Sequence, residues 1–117
     1  MSRVLIVSDD AKFIAASVQV LHSHTVRSWP LSIFDLTAAR EFGADVILLD
    51  TLGNGGALVV RQRLLRDRIL ASIPLIAITE NPAEAELLAA QGMISKSLSA
   101  SALERMVGEL ALPSSLM

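Results

Sequence analysis

The sequence has no cysteine and no tyrosine, and its aromatic residues are one tryptophan and three phenylalanines. Without thiols, stability cannot rest on disulfides. With so few rings, the core falls mainly to Leu, Ile, Val and Ala, because apolar residues still make up 52% of the 117 positions. Charged residues are only 19%, too few for a disordered chain. Long hydrophobic runs are missing despite a mean hydropathy of +0.54. A spanning helix needs about 20 apolar residues. The charge-free stretches 13–26 and 69–79 are shorter, and they are interrupted by Gln19, His22 and His24 or by Pro74. No secretory signal is expected either, since the apolar run after Arg3 ends at Ser8-Asp9-Asp10. A cytoplasmic location away from the membrane follows as the default. A strong charge of one sign is also lacking: a net charge of −2 argues against a nucleic-acid footprint on this domain. Repeats, low-complexity tracts and linkers are absent. The expectation is one domain over 1–112, with 113–117 as a loose tail. A chain of this size buries roughly two-thirds of its unfolded surface.

What is present is a series of short aliphatic runs: Val4-Leu5-Ile6-Val7, Val46-Ile47-Leu48-Leu49 and Leu75-Ile76-Ala77-Ile78. None alternates with polar residues, which is the pattern of parallel strands covered on both faces. Weaker candidates are His24 to Ser28 and Met93-Ile94-Ser95. Helix-period segments lie between them. Ile14, Val18 and Leu21 predict a stripe on a first helix, and Leu103, Met106, Val107 and Leu110 one on the last. Residues 34–42 form a short, weakly patterned helix. Leu58 to about Ile69 reads as one amphipathic helix whose solvated face holds Arg61, Arg63, Arg66 and Arg68. Asn81-Pro82 with Glu84 supplies an N-cap, a proline at N1 and a carboxylate at N3, opening a short helix over 82–91. Ser101 with Glu104 is a capping box, with Ser99 as a competing cap. Five strands alternating with helices predict a doubly wound parallel α/β sheet. Ligands of such sheets bind beyond the carboxyl ends of the strands, where strand order reverses.

Polar residues follow the runs at those ends. Ser8, Asp9 and Asp10 come after the first, Asp50 closes the third, Thr79 follows the fourth and Lys96 the fifth. Clustered carboxylates repel unless a cation joins them, and a hard ion such as Mg²⁺ suits oxygen ligands. This constellation resembles the receiver domain of two-component response regulators, over essentially the whole chain. The resemblance implies a flavodoxin-like three-layer sandwich in which Asp50 accepts a phosphoryl group. Thr79 and Lys96 complete the site, Mg²⁺ is held by Asp9, Asp50 and the Leu52 carbonyl, with Asp10 a lesser candidate, and the switch pair is Thr79 with Met93. It implies a histidine kinase or phosphotransfer protein as donor, a downstream protein partner, and a homodimer as an option. It implies no enzyme beyond self-catalysed phosphoryl transfer and dephosphorylation. No output domain is seen in these residues, so the message leaves by protein contact or through sequence outside them.

The departures cluster at the site. Ser8 stands for the first carboxylate of the acidic pair. The loop after Asp50 is Thr51-Leu52-Gly53-Asn54-Gly55-Gly56 in place of Met-Pro and Gly. Glu80 stands where a small residue leaves room for phosphate, Met93 where an aromatic swings, and Ser97 where proline follows the lysine. These favour a second reading, a degenerate receiver that acts as a phosphorylation-independent interaction or dimerisation module. Other classes fit less well. Gly53, Gly55 and Gly56 match neither a Walker loop nor a dinucleotide fingerprint. Ser8-Asp9-Asp10 would repel a flavin phosphate, Leu52 stands where a cobalamin module needs histidine, and Asp9 and Asp10 are adjacent where haloacid-dehalogenase-type enzymes space two aspartates. His22 and His24 have no partner to complete a zinc site.

Overall fold

The computed structural model describes residues 2–31, 34–51, 56–96 and 100–111. Leu52, the glycines 53 and 55, Ser97, Ser99 and the tail 113–117 lie outside the described residues.

The continuous aliphatic runs become the interior of the molecule. The strands are β1 (Arg3–Val7), β2 (Thr25–Trp29), β3 (Val46–Asp50), β4 (Leu75–Ile78) and β5 (Gly92–Ile94). They form one parallel sheet in the order β2-β1-β3-β4-β5. Every residue of β3 and β4 is buried. Side chains alternate between two faces, so each run feeds two cores. Leu5, Val7, Ile47, Leu49, Leu75 and Ala77 face one core, and Val4, Ile6, Val46, Leu48, Ile76 and Ile78 the other.

Six helices among the described residues cover these faces: α1 (Ala11–Val20), α2 (Leu36–Phe42), α3 (Gly56–Leu65), α4 (Arg68–Ala71), α5 (Pro82–Leu87) and α6 (Ala100–Leu110). The first core is closed by α2, α3 and α4, through Ala39, Phe42, Val60, Leu64 and Leu70. The second is closed by α1 and α6, through Phe13, Ile14, Leu103 and Val107. No described helix is long and apolar enough to cross a membrane.

Three expectations need correction. Val18 is 44% exposed, and the buried helical position of α1 is Ser17, whose small side chain lets the helix sit close to the sheet. The segment 58–69 is two helices, because Asp67 accepts from the Ile69 and Leu70 N–H groups and starts α4 afresh. Arg61 does not belong to a solvated face. It shares the buried stripe of α3 with Ala57, Val60 and Leu64 and is 2% exposed.

Strand order places the functional edge. The chain moves from β1 outward to β2, then returns to β3 on the other side of β1. The reversal therefore lies between β1 and β3, directly above Ser8 and Asp50.

Candidate functional site

Ser8 and Asp50 meet at this crevice because their strands are paired neighbours ending at the same level. The Ser8 N–H donates to Trp29 O at 3.0 Å, which extends the β1–β2 ladder by one residue. Its hydroxyl donates to Asp50 Oδ2 at 2.7 Å and accepts from the Asp10 N–H at 3.0 Å. Asp50 is 1% exposed. A buried carboxylate needs a counter-charge, and Lys96 supplies it from the end of β5, with Nζ 2.9 Å from the same Oδ2. Lys96 Nζ also reaches Asp10 Oδ2 at 2.8 Å and stands 5.5 Å from the centre of the Phe13 ring. The second oxygen of Asp50, Oδ1, is buried and has no hydrogen-bond partner among the described residues.

The charges adjust to this arrangement. The hydrogen bond from Lys96, followed by one from the Phe13 N–H, holds the Asp10 carboxyl below its ordinary value. Burial on its own would lower the Lys96 ammonium, but the hydrogen bonds to Asp10 and Asp50 outweigh it and raise its pKa. The ammonium is thus kept charged between two carboxylates.

The far wall of the site comes from the end of β4 and the first turn of α5. Together with Asp50 and Lys96 it lines an open cavity of about 470 Å³. Thr79, 7% exposed, donates its hydroxyl to Glu84 Oε1 and accepts from the Asn81 N–H at 3.1 Å. Thr51, the residue after Asp50, also reaches Glu84 Oε1 at 3.2 Å. Asn81 caps α5 by accepting from the Ala83 N–H at 3.0 Å. Glu80, on the cavity wall, is exposed.

The structure brings Ser8, Asp10, Asp50 and Lys96 into one cluster and sets Thr79 across the cavity from it. It places Asp9 apart: Asp9 Oδ1 accepts from the Leu31 N–H at 2.9 Å, turning toward the loop after β2. The sequence expectation placed Asp9 before Asp10 as a metal ligand; in the structure Asp10 is the one that meets Lys96. Asp10 holds two positions at once, since its other oxygen caps α1 by accepting from the Phe13 N–H at 3.1 Å. Met93 is half-buried on β5 opposite Ala77. Sequence reasoning gave Glu84 only a helix-capping role and gave Thr51 none. The available signal was position, since both follow a strand end by a few residues.

The donor set can be tested against Mg²⁺, which usually takes one or two carboxylates and keeps several waters. Asp50 Oδ1 is a buried oxygen with nothing to satisfy it, and Asp10 stands on the other side of Lys96. The donors are all oxygen, as such an ion takes, and it would share the two carboxylates with the Lys96 ammonium that stands between them. No group of three or more acidic or histidine ligands occurs among the described residues, and the Leu52 carbonyl lies outside them.

No protein-family model matches this sequence. No curated protein matches it either. Solved structures do. The Vibrio cholerae chemotaxis protein CheY4 aligns with a TM-score of 0.81 at 17% identity, covering 94% of this chain and 98% of that one. The N-terminal domain of the nisin resistance regulator NsrR, a lantibiotic response regulator, aligns at 0.72 and 21% identity over 94% and 97%. The signal receiver domain of a DNA-binding response regulator from Colwellia psychrerythraea 34H aligns at 0.72 and 19% identity over 94% and 98%. The fold is that of response-regulator receiver domains.

Proposed function

We propose that this chain is a two-component receiver that accepts a phosphoryl group on Asp50 from a histidine kinase or phosphotransfer protein and signals through protein contacts in the cytoplasm. One observation carries the reading: Asp50 Oδ1 is buried, without a partner among the described residues and set at the strand-order reversal, while Oδ2 is held by Ser8 and Lys96. One oxygen is anchored and the other keeps its lone pairs for attack.

In the transfer, Asp50 Oδ1 forms a bond to phosphorus as the donor's P–N bond breaks. The departing imidazole nitrogen keeps the bonding pair. The product is an aspartyl phosphate. Such a reaction asks the protein mainly for positioning and charge stabilisation. Ser8 and Lys96 fix the carboxylate plane, and Lys96, with three donor hydrogens, has one left for a phosphoryl oxygen. Mg²⁺, held by Asp10 and by the Asp50 oxygen that does not attack, would add charge neutralisation when bound. Phe13 shields one side of the ammonium from solvent.

The test is direct. The protein is incubated with Mg²⁺ and a small acyl phosphate and its intact mass is measured. A phosphoryl adduct on the wild type and none on Asp50→Asn is expected. Absence of an adduct on the wild type, together with unchanged thermal stability on adding Mg²⁺, would leave the fold in use as an interaction module alone.

A further inference from the structure

A threonine hydroxyl has a single hydrogen to donate. In Thr79 that hydrogen goes to Glu84 Oε1, and the acceptor side of the same oxygen takes the Asn81 N–H. Thr79 therefore has nothing to offer a phosphoryl group while Glu84 stays in place. Glu84 Oε1 also lies 3.2 Å from the hydroxyl of Thr51, whose one hydrogen it shares with Ile78 O at the same distance, so both threonines that border the cavity over Asp50 stand beside this carboxylate. Its negative charge stands on the wall of the cavity that an incoming phosphoryl group must enter.

The helix that carries Glu84 is lightly held at this end, where only Ala85 of its residues packs against a core. α5 has six residues, and none of them is buried. Its far end is fixed, because Arg61 Nε donates to Leu88 O at 2.7 Å and Nη2 to Ala89 O at 3.1 Å. Arg61 is almost wholly buried, and these carbonyls are its partners in place of a carboxylate. Ala89 adopts a left-handed conformation there (φ 52°), which ends the helix sharply. α5 is thus clamped at Leu88–Ala89 and held at its start by the Asn81 cap and Glu84.

We propose that Glu84 is a positioning residue that latches the Thr79 hydroxyl, so that phosphoryl acceptance at Asp50 requires the first turn of α5 to release and pivot about the Arg61 clamp. The proposal rests on the phosphoacceptor reading above and adds its regulation. An aspartyl phosphate carries three strong acceptor oxygens and competes with Glu84 for the one hydroxyl hydrogen. The unphosphorylated state is thereby held closed by a carboxylate of the chain itself.

The test uses the full chain as wild type, Glu84→Ala, Thr79→Val and the double variant. Two readouts are taken: the rate of adduct formation with Mg²⁺ and an acyl phosphate, and amide hydrogen exchange over 82–89 without phosphate. Glu84→Ala is expected to accept phosphate roughly tenfold faster, the worth of one hydrogen bond to a charged group. Its α5 amides are expected to exchange faster than those of the wild type, but only when Thr79 is present, because the latch needs both partners. If Glu84→Ala speeds exchange equally in the Thr79→Val background, Glu84 is merely a helix-terminal charge and the latch is overturned. Equal acceptance rates in wild type and Glu84→Ala overturn it while leaving the phosphoacceptor reading intact. If no protein forms an adduct, the phosphoacceptor reading fails, and the exchange coupling alone then sustains or overturns the Glu84–Thr79 contact.

Discussion

Lys96 balances the site, since its one ammonium lies within 3 Å of carboxylate oxygens from two different elements. Removing one partner of a wholly buried ion pair costs about 3–5 kcal/mol. Lys96 is one-third exposed, so solvent reduces that figure. Lys96→Met is therefore expected to lower stability by about 2 kcal/mol, read as a shift in the urea midpoint. The pH dependence has a definite sign. Asp10 is depressed, so its contribution is present above the ordinary value of 3.8 and is lost as pH falls through its lower folded value. Lys96 is raised, so its contribution is present below 10.5 and is lost as pH rises through its higher folded value. The contribution of this pair should be constant between these limits, so the difference in melting temperature between wild type and Lys96→Met should be largest there and shrink on both sides. At this scale strand ends were readable as sequence, and they located Ser8, Asp50, Thr79 and Lys96. The choice between Asp9 and Asp10 was not readable. They are chain neighbours, and only the backbone path out of β1 sends one to Leu31 and the other to Lys96.

Caps and turns decide the elements. Asp67 accepts from two N–H groups at the start of α4 and pairs with Arg40 across from α2. Losing a helix cap destabilises, while the pair with Arg40, whose side chain is 42% exposed, adds little because solvent screens it, so Asp67→Ala should lower the urea midpoint mainly through the lost cap. Arg40 also depresses the Asp67 carboxyl, with help from the Leu70 N–H. Gly43 ends α2 in the left-handed region at φ 70°, where a side chain is strained although the space is open. Gly43→Ala should cost about 1 kcal/mol with the fold unchanged, as measured by thermal melting and circular dichroism. The cap at Asn81 was legible because Pro82 and Glu84 follow it in the order of a helix start. The break between α3 and α4 was hidden, because Asp67 stands among arginines that continue the helical pattern on both sides. Arg61 was hidden for a related reason. Nothing local distinguishes it from Arg63 or Arg66, and only the arrival of Leu88 and Ala89 makes its burial tolerable.

For the whole molecule, two cores share one sheet, and each central strand contributes to both. Leu48 lies on β3 with no exposure and faces the core under α1 and α6. Leu48→Ala should cost about 2–5 kcal/mol, depending on how far the surroundings collapse. The urea midpoint should fall with an unchanged slope, because the same surface is exposed on unfolding. The sequence by itself determined the parallel α/β architecture, since continuous aliphatic runs separated by helix-period segments have few other ways to bury both faces. It also determined which polar groups would stand at the carboxyl edge, because each follows its run without a gap. Tertiary structure alone decided how those groups are shared out. Asp10 joins Lys96, Asp9 turns away, Glu84 takes the Thr79 hydroxyl and Arg61 anchors the far end of α5. The reason is range: hydrophobic periodicity is written in neighbours three and four apart, whereas the contact from Lys96 to Asp10 joins residues 86 positions apart and exists only once the sheet has formed.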